Sequence, residues 1–289
     1  MLAEVVEQCR LSGGRVPRYW ELMRDGGFTS ATDALDALVL SPHGVLHEEA
    51  ERVLRDEEAA ALERAACELI GRGARRPSEL AARLGVKETT LSKPLRHLAE
   101  LGLVDRQAPY DLRTGRLVEG GRRALYKLAD PFLGMWYACV RPHLSGLNLQ
   151  APTARLRALT SWTQHVAAAW EELCRERWHR LRHLGIDWEP AGRYWAGREP
   201  GREEWDVVSV SADRRHVFLG ECKWMRDITR AKLEALALEL GRRSMAPPVG
   251  VPPGAKIHLG LFVPGGRNLP ALIDDVAVLE ASKLLTTEG

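Results

Sequence analysis

HVFLGECKW, residues 216–224, is the stretch that decides the fold of this chain. Successive side chains of a β-strand point to opposite faces, so Glu221 and Lys223 share one face and Cys222 takes the other. An apolar strand that carries an acid and a lysine on one side is difficult to bury unless those charges have a role. The stretch therefore predicts a buried strand with a functional end.

A second strand-like run, WDVVSV, covers residues 205–210, and the polar turn ADRR of residues 212–215 separates it from the first. A hairpin with its turn centred there fixes three opposed pairs: Asp206 with Glu221, Val208 with Leu219, and Val210 with Val217. Directly opposed residues have Cβ atoms about 4.5–5.5 Å apart, so two carboxylates repel unless a cation lies between them or one is protonated. The pattern indicates a divalent-metal site above two apolar core pairs.

The composition is ordinary for a globular protein of one or two domains: 289 residues, 45% hydrophobic and 28% charged. No apolar run approaches the roughly 18–20 residues that span a bilayer, so no membrane partner is expected. Five scattered cysteines, an odd number, argue against a disulfide framework and for a cytoplasmic location.

The net charge of +2 is distributed unevenly. Residues 1–59 hold 6 Lys or Arg against 12 Asp or Glu, a net −6, whereas residues 60–130 hold 14 against 9, a net +5. A basic middle beside an acidic start is typical of a nucleic-acid-facing segment next to a protein-facing one. Charge asymmetry of this size also occurs in proteins that bind no nucleic acid.

Residues 1–59 are predicted to form short helices, over 2–9, from Pro17 onward, and over about 31–40 after a Thr29-Ser30 cap. The phosphate-loop motif Gly-x-x-x-x-Gly-Lys-[Ser/Thr] occurs nowhere in the chain, and Gly13-Gly14 lacks its lysine. The chain is therefore expected not to bind and hydrolyse ATP on its own.

Residues 60–130 predict a winged helix. A helix over 60–70, a short helix ended by Gly85 and a longer helix over 86–101 precede two strands, 102–106 and 124–128. Leucines at spacings of three and four form one face of the longer helix, and the other face is polar: Thr89, Thr90, Lys93, Arg96 and His97. This helix-turn-helix pattern predicts contact with DNA. Protein docking is the alternative use of such a domain.

The loop between the two strands, the wing, carries four arginines that are expected to contact DNA: Arg113, Arg116, Arg122 and Arg123. Pro94 lies inside the longer helix, where it removes a backbone bond to Thr90 and is expected to re-aim the residues that would read bases. Phosphate contacts are therefore the main expectation, and they give salt-dependent, weakly specific binding.

Residues 131–150 are predicted to be an apolar connecting helix and a linker, with the linker over 145–153. From residue 151 to 289 the predicted order is helix, three strands, helix, strand, helix, strand, a mixed sheet with flanking helices. The first of these helices is expected over about 161–182 and the last over 269–275.

Asp206, then Glu221-Cys222-Lys223, with a preceding helix that bears Trp170-Glu171, resembles the PD-(D/E)xK nuclease fold over about residues 150–289. In that family the Asp and Glu hold one or two divalent ions, the Lys positions or activates the attacking water, and a helix Glu often completes the metal site. The resemblance assigns these roles to Asp206, Glu221, Lys223 and Glu171. It also implies the backbone carbonyl of Cys222 as a ligand and Mg²⁺ or Mn²⁺ as cofactor.

Two alternatives stay open for this site. Glu171 follows the aromatic Trp170, as the family's pattern prefers over the adjacent Glu172, but the two glutamates can equally be a solvated pair on the helix. Glu221 and Lys223 can also form an ion pair on a half-exposed sheet with no catalytic role. One departure from the family's pattern is that Trp205, and not Pro, precedes Asp206.

The entire chain also resembles the C-terminal half of the archaeal-type AAA ATPases, which carry a P-loop ATPase, a helical lid, a winged helix and a nuclease-like domain of unknown function. GGRVPRY (13–19) is similar to the lid, and RPSELA (76–81) and ADPF (129–132) to the winged helix and its exit. The ATPase core is missing. The resemblance thus implies a truncated relative or one half of a split protein, whose residues 1–59 would dock a separate ATPase.

The sequence as a whole predicts an α/β protein: a helical lid-like segment (1–59), a winged helix (60–130), a connecting segment (131–150) and a nuclease-like mixed sheet (151–289). Two functions are compatible with it. One is metal-dependent cleavage of double-stranded or branched DNA. The other is a non-catalytic DNA- or protein-binding regulator that acts with an AAA ATPase partner.

Overall fold

A computed structural model of the protein describes residues 17–56, 60–118, 124–196, 204–225, 228–266 and 268–285. The helix predicted over residues 2–9, the lid-like Gly13-Gly14 and the wing residues Arg122 and Arg123 lie outside these ranges. The predicted α/β class is confirmed, with a helical N-terminal part and a mixed sheet in the C-terminal part. Of the helices described, none is both long and apolar enough to cross a bilayer.

The described residues form two compact units. The first unit contains residues 17–107 and 124–166, and the second contains residues 108–118 and 167–285. Helices of the first unit are α1 (Pro17–Asp25), α2 (Ala31–Leu35), α3 (Glu49–Asp56), α4 (Ala61–Gly71), α5 (Pro77–Leu84), α6 (Glu88–Glu100), α7 (Pro131–Met135), α8 (Leu144–Asn148) and the first part of α9 (Pro152–Arg177).

Two predictions about the helices have different outcomes. Ser30 caps α2 as predicted, because its hydroxyl accepts the backbone N–H of Asp33 at 3.1 Å. The predicted linker over 145–153 is wrong, since α8 and the start of α9 occupy most of it. Proline suits the first turn of a helix, so Pro152 begins α9 about nine residues before the predicted start.

The order predicted for a winged helix is present in α4, α5, α6 and the antiparallel strands β1 (Val104–Gln107) and β4 (Leu125–Leu128). Gly85 ends α5 with a φ of 66°, a left-handed conformation that costs little without a Cβ. The leucines of α6 at positions 91, 95 and 98 are buried, which leaves the opposite polar face of α6 in solvent.

The second unit is built on a six-stranded mixed sheet. Its strands are β5 (Gly192–Trp195), β6 (Glu204–Val210), β7 (His216–Cys222), β8 (Lys256–Val263), β9 (Leu272–Ile273) and β10 (Val276–Glu280). They lie in the order β5-β6-β7-β8-β10-β9, with β7, β8 and β10 parallel to one another. A short hairpin, β2 (Tyr110–Asp111) with β3 (Arg116–Leu117), belongs to the same unit.

The helix predicted over residues 269–275 is wrong. These residues contain β9 and the two-residue turn of a β9–β10 hairpin, in which Ile273 pairs with Val276. Asp274 and Asp275 have φ angles of 44° and 64°, and a tight hairpin turn needs positive φ at both central positions. Asp tolerates a positive φ better than most residues, so Asp274 and Asp275 favour a hairpin turn over the predicted helix.

Helices cover both faces of the sheet. Helix α10 (Arg230–Ser244) buries Leu233, Ala237 and Leu240 on one face. On the other face, Trp178, just after α9, stacks on Phe218 with ring centroids 3.8 Å apart. A last helix, α11 (Ala281–Leu285), follows β10. The sheet is therefore the middle layer of three.

The glycine before Glu221 is explained by the packing of Phe218. Gly220 pairs with Gly260 of the neighbouring strand, and a Cβ added to either would come within 2.7 Å or 2.5 Å of the Phe218 ring. Because no side chain fits beneath this buried ring, both positions require glycine. The ring and the two glycines together fix the end of β7 that carries Glu221.

Candidate functional site

The predicted hairpin register is confirmed for its core pairs. Strands β6 and β7 are antiparallel, with Val208 opposite Leu219 and Val210 opposite Val217. All four side chains are fully buried. The alternation also holds at the end of β7, where Cys222 is buried and Glu221 and Lys223 are partly exposed.

The predicted pairing of Asp206 with Glu221 is absent from the ladder, which begins at Val207 opposite Gly220. On its other side β6 contains an irregularity: Gly192 pairs with Val208 but Tyr194 pairs with Trp205. Asp206 and Val207 thus stand against a single residue of β5, the arrangement of a β-bulge, which re-aims side chains near functional sites. The carboxylate of Asp206 accepts the backbone N–H of Cys222 at 2.9 Å instead.

Each oxygen of the Glu221 carboxylate contacts a cation. Lys223 Nζ lies 2.9 Å from Oε1, and Arg243 Nη1 lies 2.8 Å from Oε2. Burial acts to lower the pKa of Lys223, but the charge and hydrogen bond of Glu221 raise it above its ordinary value. The lysine is therefore firmly protonated. The ion pair that the sequence left as an alternative is present, with a second cation added to it.

Arg243, which sequence reasoning missed, comes from the last turn of α10. Its guanidinium also donates to the carbonyl of Glu204 and lies over the Trp205 ring, 4.4 Å from the centroid. Only 33% of its side chain is exposed, against 16% for Glu221. No sequence signal marks it, because it lies 22 residues from Glu221 and reaches the site through the packing of α10 on the sheet.

Asp206 has a strongly raised pKa. Burial raises it to about 7, and the negative charges of Glu171 and Glu221 act in the same direction. The hydrogen bond from Cys222 and the charge of Arg193 oppose the rise but do not offset it. A substantial fraction of Asp206 is therefore protonated in the folded protein at neutral pH.

Glu171 lies on α9, 35 residues before Asp206, and is the helix glutamate whose charge bears on Asp206. Arg175, one turn further along α9, lies 3.8 Å from the Glu171 carboxylate and donates to the backbone carbonyl of Asp206 at 2.8 Å. This arginine connects α9 to the strand that carries Asp206. The contacts of Arg175 thus bring Glu171 close to the strand that carries Asp206.

The carboxylates of Asp206, Glu221 and Glu171 are chemically suited to bind Mg²⁺ or Mn²⁺. Carboxylate oxygens are the ligands these ions prefer, and the repulsion that raises the pKa of Asp206 is what a divalent cation relieves. Across the described ranges, however, no three His, Cys, Asp or Glu side chains lie close enough together to form a ready metal-binding group. Glu221 would have to turn away from Arg243 to become a ligand beside Asp206.

The predicted DNA-facing residues of α6 are exposed: Thr89, Thr90, Lys93, Arg96 and His97. His97 has a partner within the first unit, since its Nδ1 lies 2.8 Å from Glu63 Oε1. Burial acts to raise the pKa of Glu63, but the N–H of Ala60 and the charge of His97 lower it. This face of α6 is thus exposed to solvent, and the contact with Glu63 holds the His97 ring in place.

The described wing residues lie in the second unit. Arg214 Nη1 donates to the carbonyl of Arg113 at 3.0 Å, and Nη2 donates to that of Thr114, so the tip of the wing is bound to the β6–β7 turn. The side chains of Arg113 and Arg116 are exposed. Arg122 and Arg123 lie outside the described residues.

Comparisons with known proteins give a single result. Residues 136–236 match a family described as archaeal and bacterial proteins of unknown function. The match covers about a third of the chain and includes Glu171, Asp206, Glu221 and Lys223, but it ends before Arg243. No curated protein and no solved structure was found to match.

Proposed function

We propose that the second unit hydrolyses DNA phosphodiesters with a divalent metal ion, as the resemblance to PD-(D/E)xK nucleases implies. The observation that carries the proposal is the partly buried Asp206, whose pKa is raised to about 7 by burial and by Glu171 and Glu221. Strongly raised pKa values of carboxyl groups gather at functional sites.

The chain's own residues have distinct roles in this reaction. A bound Mg²⁺ supplies positive charge that screens the phosphate and lowers the pKa of water. Asp206 and Glu221 would hold the ion, with the carbonyl of Cys222 as a further ligand and Glu171 completing the set. Lys223, kept protonated beside Glu221, orients the attacking water or stabilises developing charge on the phosphate.

DNA is the substrate that the first unit favours. Helix α6 presents hydroxyl and basic side chains on one exposed face, at Thr89, Thr90, Lys93 and Arg96. Contacts of this kind go mainly to phosphates, so they position a duplex or a branch without strong sequence preference.

The first experiment measures nicking of supercoiled plasmid and cleavage of branched DNA in Mg²⁺ and in Mn²⁺. We expect cleavage that EDTA stops and that Glu221→Ala and Lys223→Ala abolish. Asp213→Asn, on the turn of the same hairpin, is the matched control and should cleave normally. Intact DNA at high protein concentration in both metals would refute the proposal.

A second candidate function is a non-catalytic regulator that binds DNA or protein, together with a separate AAA ATPase. The observation that favours it is the neutralisation of Glu221 by Lys223 and Arg243, which leaves its carboxylate paired without a metal. The N-terminal residues 1–59 would dock the ATPase, as the resemblance to the archaeal-type AAA ATPases implies.

DNA binding distinguishes the regulator from the nuclease. The regulator predicts salt-sensitive binding that persists in Glu221→Ala and weakens when Arg122 and Arg123 are both changed to Ala. The control is Arg242→Ala with Arg230→Ala, which removes equal charge from helix α10. Equal affinity of the wing variant and this control would count against a DNA-binding regulator.

A further inference from the structure

Among the described residues Arg243 contacts three groups, one of which is the acid of the candidate site. Its Nη1 lies 2.8 Å from Glu221, whereas the carbonyl of Glu204 and the ring of Trp205 bind the rest of the guanidinium. Glu204 and Trp205 are adjacent on β6, directly before Asp206. The guanidinium is therefore held at the site by groups that do not depend on Glu221.

The contact with Glu221 occupies an oxygen that a metal ion needs. Lys223 takes Oε1 at 2.9 Å and Arg243 takes Oε2 at 2.8 Å, so a metal ion that binds Glu221 meets two positive charges, and their repulsion favours the release of one of them. Lys223 lies two residues from Glu221 on the same stretch, and its flexible stem lets Nζ follow the carboxylate when the carboxylate turns. The guanidinium of Arg243 is held by Glu204 and Trp205 and cannot follow, so its contact with Glu221 is the one that breaks.

We propose that Arg243 is a positioning residue that competes with the metal for Glu221 and, once released, binds a phosphate oxygen of the substrate. This inference rests on the proposed nuclease function and adds a regulatory step to it. When Glu221 turns to the metal, Trp205 and Glu204 keep the guanidinium in place with an N–H free. A planar guanidinium is well suited to phosphate, because its N–H groups donate in parallel to two oxygens.

The proposal makes metal affinity and DNA cleavage respond in opposite directions to one substitution. Arg243→Met keeps an aliphatic stem over Trp205 and removes the guanidinium. A charged hydrogen bond of this kind changes affinity by about tenfold or more. We therefore expect Arg243→Met to bind Mn²⁺ at least about tenfold more tightly than wild type, whereas loss of a phosphate donor lowers its cleavage rate by about a hundredfold. A role in folding alone would not tighten metal binding.

The test measures Mn²⁺ binding by electron paramagnetic resonance and titration calorimetry, and plasmid cleavage in parallel, for wild type, Arg243→Met, Arg243→Lys and Arg242→Met. Arg242 is the exposed neighbour of Arg243 on α10, so its variant is matched in charge and helix position. Arg242→Met should behave as wild type. Arg243→Lys keeps the charge without the planar fork, so it should retain weak metal affinity and recover only part of the cleavage.

The outcomes separate this inference from the proposed function. Tighter Mn²⁺ binding by Arg243→Met with cleavage by wild type supports both. Equal Mn²⁺ affinity of Arg243→Met and Arg242→Met overturns the inference, even if wild type cleaves DNA. Tighter binding with no cleavage by any variant supports the competition and refutes the nuclease. No Mn²⁺ binding by any variant overturns both.

Discussion

The replacement Asp206→Asn should stabilise the metal-free protein and abolish its metal-dependent activity. Burial and two neighbouring acids favour the protonated form of Asp206, with a pKa of about 7 against an ordinary value of 3.8. The contribution of Asp206 to the free energy of unfolding is therefore fully present below about pH 4 and is lost as the pH rises through 7. Asn is neutral at every pH, and its carbonyl can still accept the N–H of Cys222.

The size of the effect follows from the two pKa values. Three pKa units at 1.36 kcal/mol each give a total loss of about 4 kcal/mol once the folded carboxyl is ionised. Between pH 5 and pH 8 the loss is about 2–3 kcal/mol, because the unfolded carboxyl is already ionised at pH 5. The advantage of Asp206→Asn over wild type should therefore grow by about 2–3 kcal/mol across that interval.

Urea unfolding in EDTA at pH 5 and at pH 8, followed by tryptophan fluorescence, measures this difference. Asp213→Asn is the matched control, because hydrogen bonds from Ser211 and the Arg215 N–H lower the pKa of that exposed carboxyl. That carboxyl is ionised in the folded and in the unfolded protein at both pH values, so Asp213→Asn should be less stable than wild type by the same amount at pH 5 and at pH 8. The reasoning is refuted if Asp206→Asn gains nothing over wild type between pH 5 and pH 8.

Three further predictions concern other parts of the chain. Gly220→Ala should destabilise the protein by about 1–3 kcal/mol, because the added methyl would stand 2.7 Å from the Phe218 ring; an unchanged urea midpoint would contradict the packing described. Lys93→Ala with Arg96→Ala should weaken DNA binding and reduce the slope of log Kd against log salt by about 2, whereas an unaltered slope would exclude this face of α6 as a phosphate-binding surface. Burial raises the pKa of four buried thiols, those of Cys67, Cys139, Cys174 and Cys222. These four should therefore react with a thiol reagent at pH 8 only after the protein unfolds, as peptide mapping would show. Prompt labelling of any of the four in the folded protein would contradict this prediction.

Local patterns were sufficient to predict the hairpin and helix α6. The polar turn at 212–215 sets the centre of the hairpin and thereby fixes the pairs Val208–Leu219 and Val210–Val217. In α6, leucines at helical spacing determine the buried side and hence the exposed polar face.

Features that depend on distant parts of the chain could not be predicted in this way. The irregularity at Asp206 arises from pairing with β5, whose sequence carries no sign of it. Arg243 reaches Glu221 only because α10 packs across the sheet. Glu171 comes close to the strand of Asp206 only because α9 packs against the sheet.

The central claim is that the acids at the end of the β6–β7 hairpin bind a divalent metal ion. A crystal of the protein soaked in Mn²⁺, with data collected at the manganese absorption edge, tests it directly. We predict an anomalous peak between the carboxylates of Asp206 and Glu221, with Glu221 turned away from Arg243. Absence of that peak, with Glu221 still paired to Lys223 and Arg243 at saturating Mn²⁺, would contradict the claim.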